Sequence, residues 1–201
     1  MRKAYLVVAL AVLVGAVFAT PGVNRNQSVL AAAAITTAAD PLVVSGGTDA
    51  LLLTCMDYRL TDDVADYMQH ERHMDKKYDH VILAGASLGA NTAKYPAWGT
   101  TFWEHLATAI KLHSIHKVMI MDHRNCGAYK LLLDKDFPED ASPAQLKEET
   151  RVHKEQLDLL AKAVHAKYPD LEVETLLMGL DGHVEEIGSI PNAEDKPGVK
   201  H

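Results

Sequence analysis

The sequence predicts an α/β fold: a mostly parallel central sheet of about four strands with an added edge strand, flanked by helices. Three observations carry this. Short apolar runs alternate with longer stretches of helical spacing, the pattern of strands joined by crossover helices. The runs are apolar on consecutive positions, as in strands buried on both faces. The last run follows an Asp181-Gly182 turn signal too short for a crossover, so it returns as an edge strand.

The elements follow in order. Ala50–Thr54 (Ala-Leu-Leu-Leu-Thr) is the first strand. Thr61-Asp62-Asp63 opens a helix with Val64, Tyr67 and Met68 on one face. His80–Ala84 is the second strand, followed by a glycine-rich turn, Gly85–Gly89. Thr101-Phe102-Trp103-Glu104 has the spacing of a capping box, with a helix behind it to His113. His116–Asp122 is the third strand, and Gly127 leads into a short helix through Leu133. Ser142-Pro143, with Gln145 three residues after the cap, starts a long helix that stops at Tyr168-Pro169. Leu171–Met178 is the fourth strand, and Val184–Ile187 is the edge strand.

The chain divides into four stretches. Residues 1–19 read as a signal peptide: Arg2 and Lys3 precede an apolar run from Ala4 to Phe18, with small residues at Val17 and Ala19. The run is shorter than the ~20 residues that span a bilayer, and an uncleaved anchor is the alternative. The protein is therefore expected to be exported, periplasmic or secreted. Residues 20–46 are a tether or N-terminal arm, 47–188 the folded domain, and 189–201 a loose tail. About half of the 201 residues are apolar, enough for one sizeable core. A formal charge of −7 excludes a nucleic-acid partner, which would want a basic face, and disfavours any membrane contact beyond the targeting segment.

Chemistry concentrates at two strand ends. Cys55 and Cys126 are the only two cysteines, and both stand where an apolar strand gives way to a polar turn. In open α/β sheets that end of the strands is where ligands bind. His123 and Cys126 are three apart on one turn, so both can face one point. Two thiols and one imidazole make a three-ligand zinc site with an open fourth position. The competing reading is a Cys55–Cys126 disulfide, which an oxidising compartment favours. Asp57 and Arg59 shift the balance toward metal. Alternate residues past a strand end share a side, so the carboxylate can sit near Cys55 with the guanidinium holding it ionised. A disulfide needs neither.

Cys55-Met56-Asp57-Tyr58-Arg59 resembles the Cys-x-Asp-x-Arg motif of β-class carbonic anhydrases. His123-Arg124-Asn125-Cys126-Gly127 resembles that family's His-x-x-Cys-Gly motif. The resemblance spans about Leu51 to Ile187. It implies zinc on Cys55, His123 and Cys126, a catalytic Asp57–Arg59 pair, and reversible hydration of carbon dioxide to bicarbonate. It also implies a homodimer or higher homo-oligomer. Hydrolysis of carbon disulfide or carbonyl sulfide on the same scaffold is the enzymatic alternative. A non-catalytic zinc- or bicarbonate-binding protein is the alternative from another class. Three positions depart from the family pattern. An Arg-Asn-Ala-Gly-Asn stretch after the second strand is replaced by Gly85-Ala86-Ser87-Leu88-Gly89-Ala90-Asn91; Asp122 stands where glycine commonly precedes the histidine; and Tyr58 stands where a small residue is common.

Overall fold

The computed structural model describes residues 47–193. The expected signal peptide, its apolar run and the arm before residue 47 lie outside the described residues, as does the tail from residue 194. Among the described residues, no helix is long and apolar enough to cross a membrane.

Five strands form one sheet in the order β2-β1-β3-β4-β5. They are β1 (Ala50–Cys55), β2 (Tyr78–Leu83), β3 (Lys117–His123), β4 (Glu172–Met178) and β5 (Val184–Ile190). The first four are parallel, and β5 pairs antiparallel with β4. The expected architecture is therefore present, with β1 and β3 adjacent at the centre. Centrality explains their composition. Leu51, Leu52 and Leu53 of β1 and Val118, Met119 and Ile120 of β3 are all buried, because helices cover both faces. β2 lies at an edge and leaves His80 and Ile82 exposed.

One face carries Leu51, Leu53, Val118, Ile120 and Val173 against α3 (Pro96–His113) and α5 (Pro143–Lys167). Phe102 and Leu106 of α3 and Leu157 and Val164 of α5 are fully buried there, each contributing roughly 1.5–3 kcal/mol. The other face carries Leu52, Met119, Met121, Leu176 and Met178 against Leu60, Val64, Tyr67 and Met68. Those last four come from a short 3-10 turn (Tyr58–Leu60), α1 (Thr61–Asp66) and a π-turn (Tyr67–Glu71) that continues it. The expected stripe of Val64, Tyr67 and Met68 thus faces the core. α4 (Gly127–Leu133) begins directly at the second motif.

Three local expectations are corrected. Gly85–Gly89 is no open turn: Ala86–Asn91 form a buried helix, α2. Gly85, at φ +78, makes the left-handed entry to it, and a Cβ there would meet Ala128 Cβ at 2.8 Å. At Gly89 a Cβ would meet the Ala84 carbonyl oxygen at 2.3 Å, so this helix packs too close to the strand end for any side chain. Thr101 caps nothing. α3 starts at Pro96, whose missing N–H suits a first turn, and the Thr101 hydroxyl donates back to the Ala97 carbonyl at 2.9 Å. The edge strand runs to Ile190, so Ser189 and Ile190, expected in the tail, pair with Glu174 and Val173. The capping box at Ser142 and Gln145 is formed as expected.

Candidate metal centre

β1 ends on Cys55 and β3 on His123, side by side at the carboxyl edge of the sheet. The turn after β3 is short. The Arg124 N–H donates to the Met178 carbonyl at 2.9 Å, extending the pairing to β4 by one rung. Asn125 takes a left-handed conformation at φ 55, which turns the chain sharply enough to bring Cys126 back to His123. The ligand atoms of Cys55, His123 and Cys126 all lie within 4.8 Å of one another. The three residues expected to converge do so.

The fit to a metal rests on two observations. The two cysteines are free thiols, with Sγ atoms 3.8 Å apart. Two sulfurs each ~2.3 Å from one tetrahedral centre would lie ~3.8 Å apart, whereas a disulfide would hold them at ~2.05 Å. The disulfide reading is therefore set aside. The second observation is His123. Its Nδ1 donates to the Arg124 carbonyl at 2.8 Å, which fixes the tautomer and leaves the Nε2 lone pair free. That Nε2 is buried without a hydrogen-bond partner. A buried polar atom without a partner is costly, and a cation between it and the two sulfurs removes the cost.

The electrostatics prepare the donors. The Cys126 thiol lowers the Cys55 thiol well below its ordinary value, against the opposing effect of burial, with His123 and the Gly85 amide adding to it. That amide donates to Cys55 Sγ at 3.2 Å. Cys126 is pushed far up, because it keeps the proton that Cys55 gives up and because it is buried. Burial pulls the His123 imidazole down, but the neighbouring Cys55 thiolate outweighs it and the net shift is upward. Metal binding takes thiolates and a neutral imidazole, so it would release the protons that these three groups still hold.

Beside the cluster stands the expected acid–base pair. Arg59 grips Asp57 with a fork, Nε to Oδ1 at 2.9 Å and Nη2 to Oδ2 at 2.8 Å, and its own amide donates to Oδ1 at 3.1 Å. The Arg59 guanidinium holds the Asp57 carboxyl down at about 2. Asp57 Oδ2 is 3.8 Å from His123 Nε2. The carboxylate is thus ionised and adjacent to the cluster. An open cleft of about 370 Å³ lies over this pair, lined by Asp57, Tyr58, Arg59, Asn125, Cys126 and Phe137 among others. Tyr58, the bulky departure, is 87 % exposed and stands at the rim of this cleft.

Sequence reasoning missed the supports. Asn125 accepts from Arg59 Nη1 through its side-chain oxygen at 2.8 Å and from Nη2 through its carbonyl at 3.1 Å. Glu149 of α5, itself buried, accepts from the Asn125 amide at 2.6 Å and from Arg124 Nη1 at 3.3 Å. A chain of contacts therefore runs from α5 to Asp57. Behind His123, the buried Asp122 carboxylate accepts from the Ser87 amide at 3.0 Å, the Ser87 hydroxyl at 2.7 Å and the Tyr129 hydroxyl at 2.6 Å, and lies 2.9 Å from His153 Nδ1. Two of the departures noted in the sequence, Ser87 and Asp122, are thus partners of each other. A buried carboxylate needs donors, so an aspartate before the histidine demands a polar residue opposite; that demand was the available signal.

The fold and site define an α/β domain whose central strand ends carry a thiol–imidazole–thiol cluster able to hold a metal ion, with a carboxylate–guanidinium pair beside it. A family profile described as "Putative carbonic anhydrase" matches residues 46–188, and the chain belongs to that family. An uncharacterized protein of Rickettsia conorii is 38% identical over 143 residues, covering 71% of this chain and 73% of the relative. An uncharacterized protein of Rickettsia bellii is 37% identical over 137 residues, covering 68% and 80%. Among solved structures, a Coccomyxa beta-carbonic anhydrase in complex with acetazolamide aligns with TM-score 0.46 and 16% identity, covering 75% of this chain and 77% of that one. A tetrameric beta-carbonic anhydrase of Sordaria macrospora aligns with TM-score 0.40 and 15% identity, covering 74% and 85%.

Proposed function

We propose that this protein is a zinc-dependent carbonic anhydrase that interconverts carbon dioxide and bicarbonate. The observation that carries the reading is the convergence of Cys55, His123 and Cys126 around an unpartnered His123 Nε2, next to an ionised Asp57. These three side chains would hold zinc, leaving a position for water. Bound there, zinc would lower the pKa of a water to about 7 and so make a nucleophile available at neutral pH. The chain's own groups do the rest. Asp57, held by Arg59, offers a fixed acceptor for a water proton near the cluster, and so orients the oxygen that adds to carbon dioxide. Asn125 keeps Arg59 from swinging away. The backbone amide of Gly85 supports the Cys55 thiolate and favours metal retention.

Metal analysis and a stopped-flow hydration assay on the purified protein test this. The expected result is about one zinc per chain, with carbon dioxide hydration that disappears in Cys126→Ser along with the metal. Fully zinc-loaded protein that hydrates no carbon dioxide would overturn the reading. Carbonyl sulfide and carbon disulfide are then the substrates to assay.

We further infer that the chain is exported by its first 19 residues and assembles as a homodimer or larger homo-oligomer. The charged and apolar segments of the N-terminus support the first, and the family resemblance supports the second. Mass spectrometry of the secreted protein should find Met1 absent, and light scattering should give at least twice the chain mass.

A further inference from the structure

The face of the sheet opposite Cys55 holds a hydrogen bond that neither the metal cluster nor the Asp57–Arg59 pair uses. Thr54 immediately precedes Cys55 and is 3 % exposed. Its Oγ1 lies 2.7 Å from Nε2 of His80, which stands on the edge strand and is exposed. Thr54 also borders two spaces. One is a cavity of about 10 Å³ lined by Thr54, Cys55, Leu60, Met121 and His123 among others, room for about one water. The other is an open cleft of about 110 Å³ lined by Thr54, Cys55, Asp57 and His80 among others. The hydroxyl therefore stands between a water-sized space at the ligand cluster and an imidazole at the surface. A hydroxyl donates one proton while accepting another, which is what a relay requires.

We propose that Thr54 and His80 form the path by which the proton released on hydration leaves the site. This rests on the carbonic anhydrase reading. The overall step, water plus carbon dioxide to bicarbonate plus a proton, leaves one proton to export per turnover. A water in the small cavity passes it to Thr54 Oγ1 as the Thr54 hydroxyl proton moves to His80 Nε2. His80 then releases a proton to buffer, and the threonine is returned to its starting state by rotation of its hydroxyl. Desolvation along the cleft lowers the His80 imidazole below its ordinary value, so it is neutral and ready to accept at neutral pH. Tyr78 on the same strand, its ring 6.0 Å from that of His80 between centroids, and Cys55 and Asp57 along the cleft are the titratable groups beside it.

The test compares zinc-loaded wild type, His80→Ala and Thr54→Val in weak buffer, with and without added imidazole. Export of the proton limits kcat but not the addition step, so kcat should fall about tenfold or more in both variants while kcat/KM stays within about twofold. Imidazole should restore kcat in His80→Ala, which loses the carrier, more than in Thr54→Val, which breaks the path behind it. Metal-free protein labelled with ¹⁵N-histidine supplies a second readout: Thr54→Val should shift the His80 Nε2 resonance by removing its partner. Unchanged kcat in weak buffer, a parallel fall of kcat and kcat/KM without imidazole rescue, or an unmoved Nε2 resonance would each overturn the relay. An inactive wild type overturns the carbonic anhydrase reading itself, and is told apart because the relay fails only against an active wild type.

Discussion

Arg59 makes four side-chain hydrogen bonds, two to Asp57 and two to Asn125, and so decides which way the carboxylate beside the Cys55–His123–Cys126 cluster faces. Replacing it with alanine removes no metal ligand. The Arg59→Ala variant should keep its zinc but hydrate carbon dioxide about tenfold or more slower, because a carboxylate off its productive position loses its orienting effect. Equal activity in variant and wild type, at equal metal content, would reduce the pair to a surface contact. A pH signature accompanies this. The Asp57 carboxyl is lowered to about 2, chiefly by Arg59. A lowered folded-state value means stability present above the ordinary aspartate range and lost as pH falls through it toward about 2. Arg59→Ala should lose that contribution at neutral pH, so its acid-unfolding curve should lie closer to wild type at pH 2 than at pH 5. The motif pattern made Asp57 and Arg59 readable, since both lie two apart past one strand end. Asn125 and Glu149 were not, because their roles arise from a left-handed turn and from a helix 24 residues on.

α2 is the element on which sequence and structure differ most. Six residues that include a glycine, a serine and an asparagine, entered through a second glycine, have weak helical propensity, and Gly85–Gly89 reads as a turn for that reason. The helix exists because Ala86–Ala90 are buried against β1, β3, α3 and α5, where packing overrides propensity. Glycine at position 89 follows from the 2.3 Å approach to the Ala84 carbonyl. Gly89→Ala should therefore destabilise the fold by about 1–3 kcal/mol, despite alanine's better propensity, and urea denaturation measures it. A neutral or stabilising result would mean α2 sits further from the strand end. The opposite lesson comes from α5. Its start was legible because Ser142, Pro143 and Gln145 are local signals whose effect needs no tertiary partner. Ser142→Ala should cost about 1 kcal/mol, by the same denaturation measurement. The misread start of α3 falls between these cases: Thr101 and Glu104 have capping spacing, but Pro96 begins the helix one and a half turns earlier and places them in its interior.

At the scale of the molecule, the site closes a long loop. Cys55 and Cys126 are 71 positions apart in the chain, and between them lie α1, β2, α2, α3 and β3. The parallel pairing was readable because strands joined by crossover helices pair in parallel; the exact ends of β2 and β5 were not, since edge strands carry exposed residues such as His80 and Ile82 that blur the pattern. A metal on Cys55, His123 and Cys126 pins β1 to the β3–α4 junction across that loop. The unfolded chain has no such preformed triad, so the metal binds the native state and stabilises it by mass action. At free zinc about 1,000 times its dissociation constant the gain is about 4 kcal/mol. For a chain of this size that corresponds to a melting temperature about 8–16 °C higher. Exhaustive chelation should lower the melting temperature by that order, re-addition of zinc should restore it, and magnesium should not, because thiolate and imidazole donors select the softer ion. His123→Ala should already melt near the chelated wild type and respond little to either treatment. If chelation leaves the wild-type melting temperature unchanged, while metal analysis finds no zinc before or after, the triad is a hydrogen-bonded thiol–imidazole cluster and not a metal centre.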